Sequence, residues 1–110
     1  MGGRYMNVPE ISVDELEGQI ANSAVVIDVR EQAEWDEGRV VGSRLMPLGE
    51  VVARLDEIPT DGPVYVICRS GVRSAEACGY LRTQGIDAFN VTGGVLAWLD
   101  SERTVESGAR

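Results

Sequence analysis

The sequence predicts an α/β domain built around a mainly parallel sheet, and three observations lead to that prediction. Short apolar runs alternate with helical patterns along the chain, which is the order of elements in βαβ folds. The run Val64-Tyr65-Val66-Ile67 is apolar throughout, as expected for a parallel strand buried on both faces. With 110 residues, of which 44% are apolar, the chain has the size and composition of one globular domain.

The first half of the chain predicts three strands. The residues Ser12-Val13-Asp14-Glu15 form a capping box that starts a helix, and Pro47 stops the third strand. The polar stretch 30–38 has Trp35 as its large apolar anchor. In order, the predicted elements are a strand at 10–11, a helix at 12–21, a strand at 24–29, a short polar helix or turn at 30–38 and a strand at 43–46.

The second half predicts two more strands and three helices. Apolar residues at 48, 51, 52 and 55 follow the i, i+3, i+4, i+7 spacing of an amphipathic helix. Gly85 ends a helix, and Gly93-Gly94 precedes the last one. The predicted elements are a helix at 48–55, a strand at 64–67, a helix at 75–84, a strand at 88–91 and a helix at 95–101.

The composition and the first residues of the chain predict which partners are disfavoured and in which cellular compartment the protein lies. The net charge of −8 disfavours nucleic acid and anionic membranes as partners, and no apolar run reaches the roughly 20 residues of a membrane span. Because the first residues lack the apolar stretch of a secretory signal, we expect a cytoplasmic protein with reduced cysteines. We expect an N-terminal extension at 1–8, one domain at 9–101 and a frayed tail at 102–110.

The basic residues are unusual, because all ten are arginine and the chain has neither lysine nor histidine. Schiff-base chemistry, a Cys–His pair and imidazole metal sites are therefore excluded within this chain. We predict no metal site and no cofactor.

Cys68 is the candidate nucleophile. It closes the buried strand and opens the cationic loop Cys68-Arg69-Ser70-Gly71-Val72-Arg73-Ser74. The free N–H groups at the start of the next helix, the helix dipole and two guanidinium groups favour an anion there, so we expect a thiolate. The alternative is a buried thiol that only packs in the core, but among the loop residues after Cys68 only Val72 is apolar.

The other residues of the loop have expected roles. Gly71 lets the backbone bend so that N–H groups point inward, and Ser70 adds a hydroxyl donor. For Ser74 a plain helix N-cap is favoured over a substrate contact. Arg73 either holds an anion or merely pairs with Glu76 or a loop carbonyl.

Three motifs together resemble the rhodanese family of sulfurtransferases. They are Asp28-Val29-Arg30 with Glu34-Trp35, Gly38-Arg39-Val40-Val41-Gly42-Ser43 and Pro47-Leu48; the loop Cys68 to Ser74; and Gly93-Gly94-Val95-Leu96-Ala97-Trp98. The resemblance covers about residues 9 to 100. It departs at Arg39, where the family usually has histidine, and after Trp98, where 99–105 replace the usual Gly-x-Pro-Val.

The resemblance implies a three-layer fold and a two-step reaction. The fold is a five-stranded parallel sheet of order 3-2-4-5-1 with helices on both faces. In the reaction, the Cys68 thiolate takes a sulfane sulfur from a small sulfur-containing anion such as thiosulfate and passes it to a thiophilic acceptor. The loop residues expected to bind substrate are Arg69, Ser70, Gly71, Val72 and Arg73.

Three residues are expected to support the site. In the implied strand order Asp28 and Arg30 lie beside the Cys68 strand, where a buried ion pair or a helix cap is favoured over direct chemistry. Ser74 is the third. Cys78 is expected to be an inert core thiol; its alternative role is a resolving cysteine that attacks the Cys68 persulfide.

Two other functions are weighed against this one. Phosphatases and arsenate reductases of the cell-division-cycle type share the implied fold but carry Cys-x5-Arg, whereas Cys68 to Arg73 is Cys-x4-Arg, a tighter loop that suits a single sulfur. A persulfide carrier that receives sulfur from a donor protein or hands it to an acceptor protein would keep the same cysteine. The sequence leaves this carrier role open.

Overall fold

The computed structural model describes residues 8–109, and its strands and helices largely follow the predicted order. The strands are short, and the longest helix has 12 residues. In chain order the elements are β1 (Glu10–Ile11), α1 (Val13–Ala21), β2 (Val25–Asp28), α2 (Gln32–Glu37), β3 (Arg39–Val40), β4 (Arg44–Leu45), β5 (Val64–Ile67), α3 (Val72–Thr83), β6 (Ala88–Val91), α4 (Gly94–Asp100) and β7 (Val105–Glu106).

The main sheet has five parallel strands in the order β4-β2-β5-β6-β1. Counted along the chain among the strands of this sheet, that order is 3-2-4-5-1, so the predicted topology is confirmed. The strand that ends at Ile67 lies in the middle, with Ile67 opposite Asp28 on one side and Val66 opposite Asn90 on the other. The carboxyl ends of β2, β5 and β6 therefore meet at one edge, where ligands bind in open α/β sheets.

Each face of the sheet carries its own apolar core. On one face Val64 and Val66 pack with Ala77 and Leu81 of α3. The other face packs against α1 and α4, and its core residues include Leu16, Val26, Ile67, Val91 and Trp98. Because successive side chains of a strand point to opposite faces, the continuous apolar run of β5 contributes to both cores.

The start of α1 has the predicted capping box. The Ser12 hydroxyl accepts a hydrogen bond from the Glu15 backbone N–H at 3.1 Å, and the Ser12 N–H donates to Glu15 Oε1 at 2.9 Å. Two N–H groups that the helix leaves unpaired are thereby satisfied.

The predicted amphipathic helix at 48–55 is wrong. Two short 3₁₀ turns, Leu48–Glu50 and Leu55–Glu57, stand there instead, joined by a turn. Val51 is buried, but Val52 is 67% exposed, so the apolar residues do not share one buried stripe. An eight-residue segment containing Gly49 has little intrinsic helical stability, and tertiary packing decides its conformation.

Residues 104–108 of the tail pack against the domain, in contrast to the frayed segment expected over 102–110; Arg110 lies outside the described residues. Strand β7 pairs antiparallel with β3, placing Val105 opposite Val40. The Trp98 indole N–H donates to the Thr104 carbonyl at 2.9 Å, and the Gly108 N–H donates to the Asp36 carbonyl at 2.8 Å. Of the predicted N-terminal extension, residues 1–7 lie outside the described residues.

Within residues 8–109, no helix is both long enough and apolar enough to cross a membrane.

Candidate active site

Cys68 lies at the carboxyl end of the central strand, directly after Ile67. Its residue surface is only 1% exposed. The helix that follows begins at Val72, three residues earlier than predicted, so the loop between strand and helix is just Cys68 to Gly71. A short loop at this position holds the thiol against the first turn of α3.

The start of α4 fixes the direction of the loop peptides. The Val95 N–H donates to the Cys68 carbonyl at 2.9 Å, and the Leu96 N–H donates to the Arg69 carbonyl at 3.0 Å. Because a trans peptide carries its C=O and N–H on opposite sides, these carbonyls turn the following N–H groups toward the inside of the loop.

Gly94 makes this contact possible. Its φ is +58°, and a Cβ there would lie 2.4 Å from the Cys68 carbonyl oxygen and 2.5 Å from that of Arg69. A side chain at position 94 would therefore displace the loop backbone.

Two hydrogen-bond donors lie within reach of the Cys68 sulfur. The Gly71 backbone N–H lies 3.1 Å from Sγ, and the Ser74 hydroxyl oxygen lies 3.3 Å from it. Gly71 has φ 113° and ψ −4°, a left-handed conformation that favours glycine and aims its N–H at the sulfur. These contacts make the loop a cradle for a charged sulfur.

The same contacts set the acidity of the thiol. Burial alone raises the pKa of Cys68, but hydrogen bonds from the Ser74 hydroxyl and from the backbone N–H groups of Ser74, Gly71 and Ser70 lower it further than burial raises it. The net pKa lies below the ordinary cysteine value, so the thiolate is enriched at neutral pH. The hydrogen-bond donors, which were predicted together with the guanidinium groups, make the main contributions that lower this pKa.

Ser74 is not the predicted N-cap. The N-cap of α3 is Gly71, and Ser74 lies in the first turn with its side chain fully buried. Because the helix begins at Val72, the Ser74 hydroxyl faces inward, where Cys68 Sγ and Asn90 Oδ1 are its neighbours.

Asn90 is a site residue that the sequence analysis missed. It lies in β6, is 3% exposed, and accepts a hydrogen bond from the Ser74 hydroxyl at 2.5 Å. Its amide nitrogen donates to the Gly71 carbonyl at 3.2 Å. A polar amide inside an otherwise apolar strand was the available signal, since buried amides require partners.

Arg73 pairs with Glu34, and not with Glu76 or a loop carbonyl. Its two terminal nitrogens donate to the two oxygens of Glu34 at 2.8 and 3.0 Å. The Arg73 guanidinium holds the pKa of Glu34 at about 2. Glu34 belongs to the first quoted motif, but its partner lies 39 positions along the chain, so its role could not be predicted.

The remaining loop side chains face solvent. Arg69 and Ser70 are exposed, and Val72 is 76% exposed. The Arg69 guanidinium makes no hydrogen bond or ion pair with another residue in the described range 8–109. Arg69 is thus a loop cation whose charge is not already matched there.

Asp28 and Arg30 form a buried ion pair. Their exposures are 0 and 5%, and Arg30 Nη2 lies 2.8 Å from Asp28 Oδ2. The Arg30 N–H also donates to Asp28 Oδ1 at 3.0 Å, and Arg30 Nη2 donates to the Gly38 carbonyl at 2.7 Å. The pair joins the end of β2 to the end of α2, the helix that carries Glu34.

Cys78 lies within α3 and is fully buried. Burial raises its pKa to about 12. A thiol of this kind is protonated and poorly nucleophilic at neutral pH, which agrees with the expected core role.

A groove lies beside the loop. Its volume is about 270 Å³, and it joins the Arg69 side of the loop to an apolar wall. Leu96, Leu99 and Val105 in that wall are 44%, 47% and 36% exposed. The groove is lined, among others, by Arg30, Glu34, Arg69, Leu96, Leu99 and Val105.

Comparison with known proteins places this geometry in one family. Residues 12–101 match the family model described as "Rhodanese-like domain".

Three curated relatives illustrate the range of proteins that are similar. A sulfurtransferase of Allochromatium vinosum is 36% identical over 94 residues, 83% of this chain and 88% of that protein. The thiosulfate sulfurtransferase GlpE of Glaesserella parasuis is 34% identical over 77% of this chain and 80% of its own. The putative sulfur carrier protein YrkF of Bacillus subtilis is 34% identical over 84% of this chain, but over only 51% of its own.

Two solved structures show the same fold at similar size. A rhodanese-like domain protein from Staphylococcus aureus superimposes with a TM-score of 0.78 at 34% identity, over 83% of this chain and 91% of its own. A rhodanese-related protein from Thermoplasma volcanium gives a TM-score of 0.84 at 30% identity, over 89% of this chain and 97% of its own.

Proposed function

The chain belongs to the rhodanese-like domain family, and from that premise we propose that it moves a sulfane sulfur from thiosulfate, or a similar anionic donor, to a thiophilic acceptor through a persulfide on Cys68. The observation that carries the proposal is the Cys68 sulfur, held between the Gly71 N–H and the Ser74 hydroxyl at the end of the central strand.

The first step forms the persulfide. The Cys68 thiolate attacks the outer sulfur of thiosulfate, the sulfur–sulfur bond of thiosulfate breaks, and sulfite leaves with the bonding electron pair. The terminal sulfur of the new persulfide carries the negative charge. Loop N–H groups that favour a thiolate also favour this anion, because charge-assisted hydrogen bonds are stronger than neutral ones.

The second step returns the enzyme to its starting state. A nucleophilic acceptor such as cyanide attacks the terminal sulfur, the bond to Cys68 Sγ breaks, and the thiolate is regenerated with the electron pair. Neither step requires a histidine base, since the loop donors that lower the pKa of Cys68 enrich the thiolate before the sulfur donor arrives.

An anionic donor must approach an anionic sulfur, and Arg69 offsets that repulsion. Two like charges about 4 Å apart repel by about 4 kcal/mol at an effective dielectric of about 20. Arg69 is exposed, is the next residue after Cys68, and has no anionic partner among the described residues. We assign it the donor-binding charge, whereas the charge of Arg73 is balanced by Glu34.

The mass of the intact protein tests the proposal. Incubation with thiosulfate is expected to add one sulfur atom, and subsequent cyanide is expected to remove it and release thiocyanate. The Cys68→Ser variant is expected to gain no sulfur, while Cys78→Ser is the matched control that gains it normally. Added sulfur on a peptide containing Cys78, or none in the unmodified protein with any sulfane donor, would overturn the proposal.

A second candidate, relay of sulfur between proteins, is favoured by the apolar wall of the groove. Three exposed apolar side chains beside Arg69 suit a protein surface better than a small anion. A relay predicts rapid sulfur transfer to or from a protein thiol and slow turnover of free thiosulfate. Leu99→Ser, which removes apolar surface without bringing a charge near Arg69, would then slow transfer between proteins and leave thiosulfate-to-cyanide turnover unchanged.

A further inference from the structure

The side-chain amide of Asn90 is oriented by its contact with Gly71. Its Nδ2 lies 3.2 Å from the Gly71 carbonyl oxygen, which can only accept a hydrogen bond. The amide nitrogen therefore faces Gly71, and the amide oxygen faces the Ser74 hydroxyl at 2.5 Å. Since Oδ1 is an acceptor, the Ser74 hydroxyl donates to it.

Ser74 then has one proton and two acceptors. Its oxygen lies 2.5 Å from Asn90 Oδ1 and 3.3 Å from Cys68 Sγ, and a hydroxyl donates only one hydrogen bond at a time. While Cys68 is a thiol, the Ser74 hydroxyl donates its hydrogen bond to Asn90 Oδ1, and a lone pair of the Ser74 oxygen faces the S–H group. Once the sulfur is a thiolate, it is a charged acceptor that competes for the same proton.

We propose that Asn90 is a positioning residue for Cys68. Its side-chain oxygen accepts the hydrogen bond of the Ser74 hydroxyl while the sulfur is protonated, and the hydroxyl turns that hydrogen bond to the sulfur when the anion forms. No covalent bond changes in this step, because only the hydroxyl rotates about its Cβ–Oγ bond. The amide nitrogen meanwhile keeps the Gly71 carbonyl in place, so the Gly71 N–H stays aimed at the sulfur. The role of Asn90 toward the thiol and thiolate of Cys68 does not depend on the proposed function. Its role toward the persulfide anion rests on the proposed function.

The competition makes a specific energetic prediction. With Asn90 present, the hydrogen bond that Ser74 gives to the thiolate replaces one that it gave to Asn90, so part of the gain is offset. Without the Asn90 acceptor nothing is given up, so the serine stabilises the thiolate more. Ser74 and Asn90 should therefore be coupled in their effect on the thiol–thiolate equilibrium, by about the value of one neutral hydrogen bond.

The test is a double-mutant cycle measured by alkylation. In a Cys78→Ala background, the rate of Cys68 alkylation by iodoacetamide is followed from about pH 5 to pH 10, and its midpoint gives the thiol pKa. The four proteins carry no further change, Ser74→Ala, Asn90→Leu, or both. Ser74→Ala is expected to shift the thiolate-to-thiol ratio about two- to tenfold more in the Asn90→Leu background than in its absence.

Other charges near the thiol do not enter this comparison. The groups concerned are Arg69 on the loop, Arg73 and Cys78 on α3, Glu34 on α2 and Asp28 on β2. The four charged side chains are identical in all four proteins, and Cys78 is absent from each. Their contribution therefore cancels in the cycle.

Equal effects of Ser74→Ala in the two backgrounds would overturn the proposal, because a purely structural Asn90 changes the melting temperature without coupling to Ser74. Should Asn90→Leu fail to fold, the smaller Asn90→Ala provides the same cycle. Alkylation needs no sulfur donor, so failure here is distinguishable from failure of sulfur transfer.

Discussion

Arg73 binds Glu34 through two hydrogen bonds, of 2.8 and 3.0 Å, that join the first turn of α3 to α2. The two charges cancel beside the candidate nucleophile, although the loop sequence offers two arginines. Arg69 is left as the loop cation with no described partner. The two arginines of the loop therefore have different expected roles: Arg69 binds the donor and Arg73 fixes the loop.

We predict that Arg69→Ala raises the KM for thiosulfate by about tenfold or more, because a charge-assisted contact contributes about 1.5 to 3 kcal/mol. Transfer from the preformed persulfide to cyanide should stay near its original rate. Arg73→Ala should raise KM less, since its charge is already matched.

Steady-state kinetics with varied thiosulfate check this, with Arg69→Lys as the variant that keeps the charge. Arg54→Ala removes an arginine that pairs with Glu50 and Glu57 and is expected to change nothing. Equal KM values for Arg69→Ala and the unmodified protein would remove Arg69 from the donor site.

Glu34 predicts a pH-dependent contribution to stability. Its folded pKa of about 2 lies below the ordinary 4.5, so the unfolded chain binds a proton first as pH falls. The Glu34–Arg73 pair thus stabilises the protein fully above about pH 4.5 and loses its effect as pH falls toward about 2. The two side chains are 28% and 34% exposed, so the contribution at neutral pH should not exceed about 1 kcal/mol.

Urea unfolding of the unmodified protein and of Glu34→Gln, at pH 7 and at about pH 3, measures this contribution. The stability difference between the two proteins should be larger at pH 7. A difference that grows on acidification would contradict the assigned pKa.

The sequence was sufficient for the parts of the fold that depend on local patterns. The apolar run of β5 placed Cys68, the candidate nucleophile, at the end of a central strand, and the Ser12 capping box predicted the start of α1. Strand order came from resemblance to a known family, since the short strand at Arg44–Leu45 does not itself indicate a neighbour.

Features that depend on tertiary contacts were missed. Glu34 and Asn90 meet the loop only after the sheet has formed, and neither neighbours Cys68 in the sequence. Ser74 was wrongly predicted to be an N-cap, because such a prediction depends on where the helix begins. Helix α3 begins three residues earlier than predicted, with Gly71 as its N-cap. The tail at 103–108 lacked an apolar pattern, yet a buried arginine holds it.

That arginine is Arg39, and we predict that Arg39→Ala releases the tail. Its side chain is 1% exposed, donates to the carbonyls of Trp35 at 3.1 Å and Gly108 at 2.7 Å, and lies 4.6 Å from the centre of the Trp35 ring. Removing it should cost about 2 to 5 kcal/mol, because a large buried side chain and its hydrogen bonds are lost together.

Limited proteolysis with mass spectrometry would detect the release as new cleavage within 103–108. The exposed Arg44 supplies the control, and Arg44→Ala should change neither stability nor cleavage. A protected tail in folded Arg39→Ala would show that strand pairing with β3 is sufficient to hold it.

The close approach of Gly94 to the loop predicts that Gly94→Ala lowers the reactivity of Cys68 as well as the stability of the protein. A Cβ there would lie 2.4 Å from the Cys68 carbonyl oxygen, so the loop backbone must move and its N–H groups would no longer point at the sulfur.

Gly85 is the matched control, because its φ of +81° is also left-handed but a Cβ would meet nothing within 4 Å. Gly85→Ala should therefore cost only about 1 kcal/mol of conformational strain and leave Cys68 alkylation unchanged. Gly94→Ala should slow alkylation at neutral pH several-fold, because losing these donors raises the thiol pKa and lowers the thiolate fraction. Equal alkylation rates in the two folded variants would mean that the start of α4 does not orient the loop.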